Sequence, residues 1–161
     1  MTTNPTGTDP PFRFLDPGPL VDGDLVLVLV RRNPADPVKG WVPWYDFEMR
    51  TPDHRGALAG SINLRIGHTR GLVQYGGHIG YGVRPEFRGR HFAARSVRLL
   101  LPLARALGFT TLWITCNPDN WPSRRTCELA GGTLVEIVEL PPDNDMYKEG
   151  ERQKCRYRFD L

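Results

Sequence analysis

The sequence has no long apolar run. The longest, Leu25 to Val30, has six residues, far fewer than the about 20 that a membrane-spanning helix needs. The first residues, Met1 to Pro11, are polar and proline-rich, whereas a signal peptide has a basic start followed by an apolar core. We therefore expect a cytoplasmic protein that does not associate with a membrane.

Cysteine is also scarce. The three cysteines, Cys116, Cys127 and Cys155, cannot all pair, and neither a CxxC motif nor a histidine-rich spacing surrounds them. This excludes a disulfide framework and a zinc site and favours a reducing compartment. The acidic stretch Asp143 to Asp145 lacks the glycine and the distal glutamate of a calcium loop, so we expect no metal.

The chain has 161 residues, of which 40% are hydrophobic and 24% charged, as in an ordinary globular domain. The net charge is only +3, but arginine is concentrated between residues 84 and 105, where Glu86 is the single acid. Six arginines fall in that window: Arg84, Arg88, Arg90, Arg95, Arg98 and Arg105. The window favours an anionic partner, either a phosphate-bearing small molecule or nucleic acid, or else it is a solvated basic helix face.

Hydrophobic periodicity predicts the elements. Residues 1–23 have turn chemistry and no period, so we expect a tail outside the core, followed by one domain over residues 24–161. Alternation predicts strands, and a 3.6-residue stripe predicts a helix from Ala93 to Leu107 with a kink at Pro102. The predicted order is ββββαβαββ, an α+β fold with a central mixed sheet of about seven strands flanked by helices. The strands are Asp24–Val30, Trp41–Arg50, Leu58–Ile66, His78–Val83, Thr111–Cys116, Thr133–Leu140 and Lys154–Leu161, with a second helix over Pro122–Ala130.

One segment carries recognisable chemistry. A strand ends at Val83, and the run Arg88 to Ala93 then opens the long helix. The unpaired N–H groups and the dipole of a helix's first turn attract anions, and flanking arginines add charge. The pattern favours a pyrophosphate, although a plain basic helix cap would give the same residues.

This segment, Tyr81-Gly82-Val83-Arg84-Pro85-Glu86-Phe87-Arg88-Gly89-Arg90-His91-Phe92-Ala93, resembles the signature of the GNAT superfamily of N-acetyltransferases. The stretch Leu112 to Cys116, the residues Asn120, Ser123 and Glu128, and Gly131-Gly132 are similar to the family's fifth strand and following helix. The resemblance extends from about Trp41 to Leu161.

The resemblance implies a GNAT-like fold that binds acetyl-CoA as co-substrate. The implied cofactor-binding residues are Gly82, Val83, Arg88, Gly89, Arg90, His91, Phe92, Ala93 and Asn120. His91 stands where the family has its second glycine, and we expect no backbone strain there because a helix's first turn suits any residue.

The resemblance also suggests catalytic residues. His78 stands where a related branch has a glutamate, so it is the candidate base, and the alternative is a surface residue on the polar face of its strand. Cys127 stands where the family has its acidic tyrosine, so it is the candidate acid, and the alternative is a buried inert thiol. A strand N–H near Val83 would polarise the thioester carbonyl.

The function implied is acetyl transfer from acetyl-CoA to the amine of a small molecule, a protein N-terminus or a lysine. The alternative is a non-catalytic acyl-CoA sensor or regulatory module; we expect no nucleic-acid partner. The short link from Arg31 to Gly40 leaves no room for the family's usual acceptor-side helices, so the acceptor cleft should be open, and a homodimer is possible. Four aromatic residues line an acceptor pocket or else belong to the core: Trp41, Trp44, Tyr45 and Trp121.

Overall fold

The computed structural model describes residues 11–53 and 56–161. The described chain forms two antiparallel sheets with helices between and beside them. The strands are β1 (Leu20–Asp22), β2 (Leu25–Asn33), β3 (Trp44–Arg50), β4 (Leu58–Arg65), β5 (Ile79–Val83), β6 (Thr111–Cys116), β7 (Thr133–Glu139) and β8 (Gln153–Asp160). The helices are α1 (Phe92–Ala106), α2 (Trp121–Leu129) and α3 (Asp145–Lys148).

The first sheet contains β1 to β5 in chain order. Its strands form because every second residue is apolar: Tyr45, Phe47 and Met49 of β3 point into the core, and the residues between them are polar or half-buried. The register pairs Ile62 with Tyr81 and Asn63 with Gly80. Tyr81 therefore lies on the core face of β5, and Asn63 lies on the opposite face.

The second sheet has the order β6-β8-β7. The predicted α+β fold and the order of its seven strands are confirmed, but the single mixed sheet is divided in two. Among the described residues, one backbone hydrogen bond joins the start of β5 to β6, from His78 N–H to the Trp113 carbonyl at 2.7 Å. Further along, β5 and β6 are not paired and belong to different sheets.

Helix α1 packs across the first sheet and contacts α2. Its buried face includes Phe92, Val97 and Leu100, as the 3.6-residue period predicts. The helix continues through Pro102 to Ala106, so Pro102 does not end it.

The segment before β2 belongs to the packed structure. Leu20 is buried in the core, β1 pairs with β2, and Phe12, Phe14 and Leu15 pack against the core. The expectation that residues 1–23 lie outside the core is therefore wrong for Leu20, and Phe12, Phe14 and Leu15 cover the core. The same expectation for residues 1–10 concerns positions outside the described residues.

The link between β2 and β3 contains one isolated bridge, between Asp36 and Trp41, and no helix in its described residues. The predicted lack of an acceptor-side helix pair is thereby confirmed. No helix in the described ranges is long and apolar enough to cross a membrane.

Candidate functional site

A cavity of about 540 Å³ lies between β5, the loop before α1 and the start of α2. We call it the helix-side cavity. Of the cofactor-binding residues implied by sequence, all except Arg90 line it: Gly82, Val83, Arg88, Gly89, His91, Phe92, Ala93 and Asn120. Arg90 instead lies over the Phe87 ring, with 5.6 Å between its guanidinium carbon and the ring centre.

The loop before α1 has the backbone of a glycine-rich turn. Gly89 has a φ of 87° and His91 a φ of 57°, the only positive φ of a non-glycine residue in the described chain. The expectation that His91 needs no unusual conformation is wrong, because an L-residue in the left-handed region is strained by about 1 to 2 kcal/mol. The family's glycine would be unstrained at this position.

The arginines of the basic window have separate roles. Arg88 is exposed, and its Nε donates to the Val83 carbonyl at 3.3 Å, which places its guanidinium at the mouth of the cavity. Arg95 is turned away towards β1, where it pairs with Asp22 at 2.8 Å and Asp24 at 2.7 Å. Its hydrogen bond lowers the pKa of Asp24. The basic window is therefore only partly available to an anion.

A group of polar side chains on the cavity wall was missed from sequence. The Tyr81 hydroxyl lies 2.8 Å from Ser123 Oγ and 3.7 Å from Cys127 Sγ. Tyr81 and Ser123 line the helix-side cavity, whereas Cys127 does not and is fully buried. Burial raises the pKa of Tyr81 and raises that of Cys127 to about 12. The pairing joins residues 42 apart in the chain, so no local sequence pattern could have revealed it.

His78 lies where β5 meets β6, and both of its ring nitrogens contact backbone. Nδ1 accepts the Trp113 N–H at 2.9 Å, so Nε2 carries the proton and donates to the Gly67 carbonyl at 2.9 Å. The side chain is fully buried, so the alternative that His78 is a surface residue is wrong. Burial lowers its pKa to about 4. This position suits a buried connector between strands, because neither nitrogen is free to accept a proton from a substrate.

A second cavity, of about 600 Å³, lies on the other face of the first sheet, and we call it the open-face cavity. Trp41 and Trp44 line it together with Asn63 and Arg65 of β4. Of the other two aromatic candidates, Tyr45 is in the core and Trp121 is exposed.

The helix-side cavity fits a diphosphate with an extended tail. A Cβ added at Gly82 or Gly89 would meet no atom within 4 Å, so both glycines border open space. The His91 side chain makes no capping hydrogen bond, so it does not compete for the amides of α1's first turn. No group of three or more potential metal ligands lies together within residues 11–53 and 56–161.

Comparison with known proteins agrees with this geometry. The family model of the acetyltransferase (GNAT) domain matches residues 28–133, which is more than half of the chain. No curated protein sequence matches the chain at a significant level.

Three solved structures have the same fold. The microcin C7 self-immunity acetyltransferase MccE, in complex with acetyl-CoA and AMP, is 18% identical with a TM-score of 0.58, over 73% of this chain and 61% of its own. A GNAT-family acetyltransferase from Bacillus anthracis is 17% identical with a TM-score of 0.57, over 71% and 65%. RimL, a ribosomal L7/L12 α-N-protein acetyltransferase in complex with CoA, is 16% identical with a TM-score of 0.57, over 77% and 64%. This chain thus spans just under two thirds of the length of each.

Proposed function

The chain belongs to the GNAT acetyltransferase family, and on that premise we propose that it transfers the acetyl group of acetyl-CoA to an amine. The observation that supports this most strongly is the helix-side cavity, which brings together residues of β5, the Arg88 loop and α2. Arg88 and the first-turn amides of α1 would hold the pyrophosphate, and the pantetheine arm would lie along Gly82 and Val83.

In the reaction, the acceptor nitrogen attacks the thioester carbonyl carbon. A C–N bond forms, the C–S bond breaks, the nitrogen loses a proton and the sulfur gains one. A backbone N–H near Val83 would stabilise the negative charge that develops on the carbonyl oxygen.

We assign protonation of the sulfur to Tyr81 and Ser123 in place of Cys127. Both residues line the helix-side cavity and their hydroxyl oxygens are 2.8 Å apart, so a proton can pass between them. The Cys127 thiol is fully buried outside the cavity lining. Its part is packing and a weak contact with the Tyr81 hydroxyl.

The acceptor should be an amine that loses its proton easily. His78 has both nitrogens in backbone hydrogen bonds, which leaves proton removal to water. The α-amino group of a peptide, with a pKa of about 7.7 to 8.0, is partly neutral at pH 7, whereas a lysine, at about 10.4, is almost fully charged. The adjacent carboxylate of a free amino acid makes its α-amine more basic than that of a peptide, but still less basic than a lysine. We therefore propose an α-amine as acceptor.

The test is calorimetric titration with acetyl-CoA. We expect the wild-type protein to bind and Arg88→Ala to bind about 10- to 150-fold more weakly, the effect of one lost charged hydrogen bond. Arg105→Ala is the matched control, because Arg105 is exposed in the last turn of α1, away from the cavity. Absence of wild-type binding, or equal binding by Arg88→Ala, contradicts the proposal.

A second function is favoured by the burial of both predicted catalytic side chains, His78 and Cys127. In that case the chain is a sensor that binds acyl-CoA without turnover. Tight acetyl-CoA binding with no thiol release in the presence of a broad panel of amines would identify it. Thiol release with any α-amine would exclude it.

A further inference from the structure

Two lining residues of the open-face cavity, Asn63 and Arg65 of β4, lie against β5 at Gly80. The Asn63 side chain accepts the Gly80 N–H at 3.1 Å, and a Cβ at Gly80 would lie 3.2 Å from Arg65 Nη2. Gly80 directly precedes Tyr81, which lines the helix-side cavity from the other face. The wall of the open-face cavity therefore contacts β5 one residue away from the wall of the helix-side cavity, and an acceptor site has to lie close to the donor site in this way.

The outer wall of the open-face cavity is aromatic. The rings of Trp41 and Trp44 meet edge to face with 5.7 Å between their centres. Trp41 is half exposed, and Lys39 Nζ lies 4.4 Å from its ring centre. Such a wall favours a flat or apolar group on the ligand.

The inner wall carries a guanidinium without a close carboxylate. Arg65 Nη1 donates to the carbonyls of Gly76 and Gly77, each at 3.0 Å. Within the described chain no acid lies within ion-pair distance of Arg65. Burial lowers the pKa of Arg65, and the more distant carboxylate of Asp46 raises it by a smaller amount. Its remaining N–H groups are left for a ligand.

The charges of the lining indicate the sign of that ligand. Arg65 and Lys39 are cations, and Asp145 is the only acid among the lining residues. Asp145 is exposed and lies 3.9 Å from Lys148. An acceptor amine with no negative group would meet net positive charge here, whereas a carboxylate on the same molecule would be attracted.

We propose that the open-face cavity binds a small α-amino acid with an aromatic side chain, its carboxylate on Arg65 and its ring against Trp41 and Trp44. The volume of about 600 Å³ is within the usual range for small-molecule sites. This identification of the acceptor class rests on the proposed acetyl transfer, but binding to the cavity does not require the cofactor.

The test uses matched probes in the absence of acetyl-CoA. Binding of L-phenylalanine and of L-phenylalaninamide is measured by quenching of tryptophan fluorescence; the amide keeps the ring and the amine but has no carboxylate. We expect the acid to bind at least about tenfold more tightly than the amide, because a charge-assisted hydrogen bond is lost. L-Tyrosine and L-tyrosinamide form a second pair.

Variants locate the effect. Arg65→Met should abolish the preference for the acid, while Arg70→Met, at an exposed arginine outside the cavity lining, should keep it. Because Arg65 also donates to two backbone carbonyls, circular dichroism checks that the Arg65→Met variant is folded. Trp41→Phe should weaken the binding of the acid and of the amide to the same extent.

The outcomes separate this inference from the proposed function. If neither acid binds more tightly than its amide to the wild-type protein, the acceptor class is wrong, whatever acetyl-CoA does. If the acids bind but acetyl-CoA does not, the transferase proposal fails and the binding site stands.

Discussion

His78 connects the two sheets through its ring as well as through its backbone. Its Nδ1 receives the Trp113 N–H of β6, and its Nε2 bonds to Gly67 in the loop after β4. The rings of Phe109 and His68 lie 5.0 and 5.8 Å away, centre to centre. A protonated ring would lose the bond that Nδ1 accepts and would carry a charge in a buried site.

The stability of the protein should therefore fall in mild acid. Because folding lowers the pKa of His78 from 6.5 to about 4, the unfolded chain binds its proton more readily than the folded protein. The contribution of the neutral ring is complete above pH 6.5 and is lost as the pH falls towards 4, by about 3 kcal/mol. The measurement is the free energy of unfolding in urea between pH 7 and pH 4.

His78→Gln removes this titration, so its unfolding free energy should fall less steeply over the same range. His91→Gln is the control, because His91 is exposed and its removal should leave the steep fall unchanged. Parallel curves for His78→Gln and the wild-type protein would contradict the assignment.

Full turnover of His78→Gln from pH 6 to pH 9 would show that His78 is not the base.

His91 illustrates what a sequence can and cannot reveal about one residue. The motif predicts cofactor binding at this position, and His91 lines the cavity before α1. It did not reveal that the backbone there is left-handed, because that depends on the path of the whole loop from Val83. The family's preference for glycine at this position has a physical cause in that conformation.

At the scale of elements, the start of α2 combines capping with the cavity wall. Asn120 is the N-cap of α2, and its side chain accepts the Ser123 N–H at 3.2 Å. The same residue lines the helix-side cavity. Asn120 thus combines an observed capping role with a proposed role in cofactor binding, and substitution can separate the two.

Asn120→Ala should destabilise the protein by about 1 kcal/mol, the usual cost of losing an N-cap. Asn120→Asp should keep the cap and the stability, yet weaken acetyl-CoA binding because it adds a negative charge to the wall of the cavity proposed to hold this anionic cofactor. Urea unfolding and calorimetric titration measure the two effects. Asn144, which caps α3 through the Met146 N–H at 2.9 Å, supplies the capping control outside the helix-side cavity. If Asn120→Asp bound acetyl-CoA as tightly as wild type, Asn120 would have no part in cofactor binding.

The order of the elements was predictable because their periods are strong. Strand β3 alternates buried Tyr45, Phe47 and Met49 with less buried residues, and α1 has a continuous apolar stripe. Strand β1 was missed because three residues are too few to show a period. The division of the strands into two sheets was also missed, since pairing between strands depends on residues far apart in the chain.

At the scale of the whole molecule, the N-terminal segment is held to the domain by side chains. Arg95 of α1 pairs with Asp22 and Asp24 on either side of the β1–β2 turn. Before β1, the Phe14 ring packs against the Tyr45 ring edge to face, with 5.1 Å between their centres. This segment has the composition of a tail, but these long-range contacts decide its position.

Tyr45 provides the sharpest test of that attachment. Its hydroxyl accepts the Leu15 N–H at 2.8 Å and donates to the Leu15 carbonyl at 3.1 Å, and the Tyr45 side chain is fully buried. Tyr45→Phe leaves both backbone groups without their partner, which should cost about 2 kcal/mol of unfolding free energy. It should also speed tryptic cleavage after Arg13, which is exposed in this segment.

Tyr147→Phe is the matched control for that substitution, because no hydrogen bond to the Tyr147 hydroxyl occurs within the described part of the chain. The Tyr147 ring instead stacks with the Arg152 guanidinium, whose carbon lies 3.8 Å from the ring centre. It should change neither stability nor cleavage. If Tyr45→Phe behaved like Tyr147→Phe in both measurements, residues 11–19 would be a loosely attached tail and the domain would begin at β1. Loss of stability together with faster cleavage would place the start of the folded domain before Leu15.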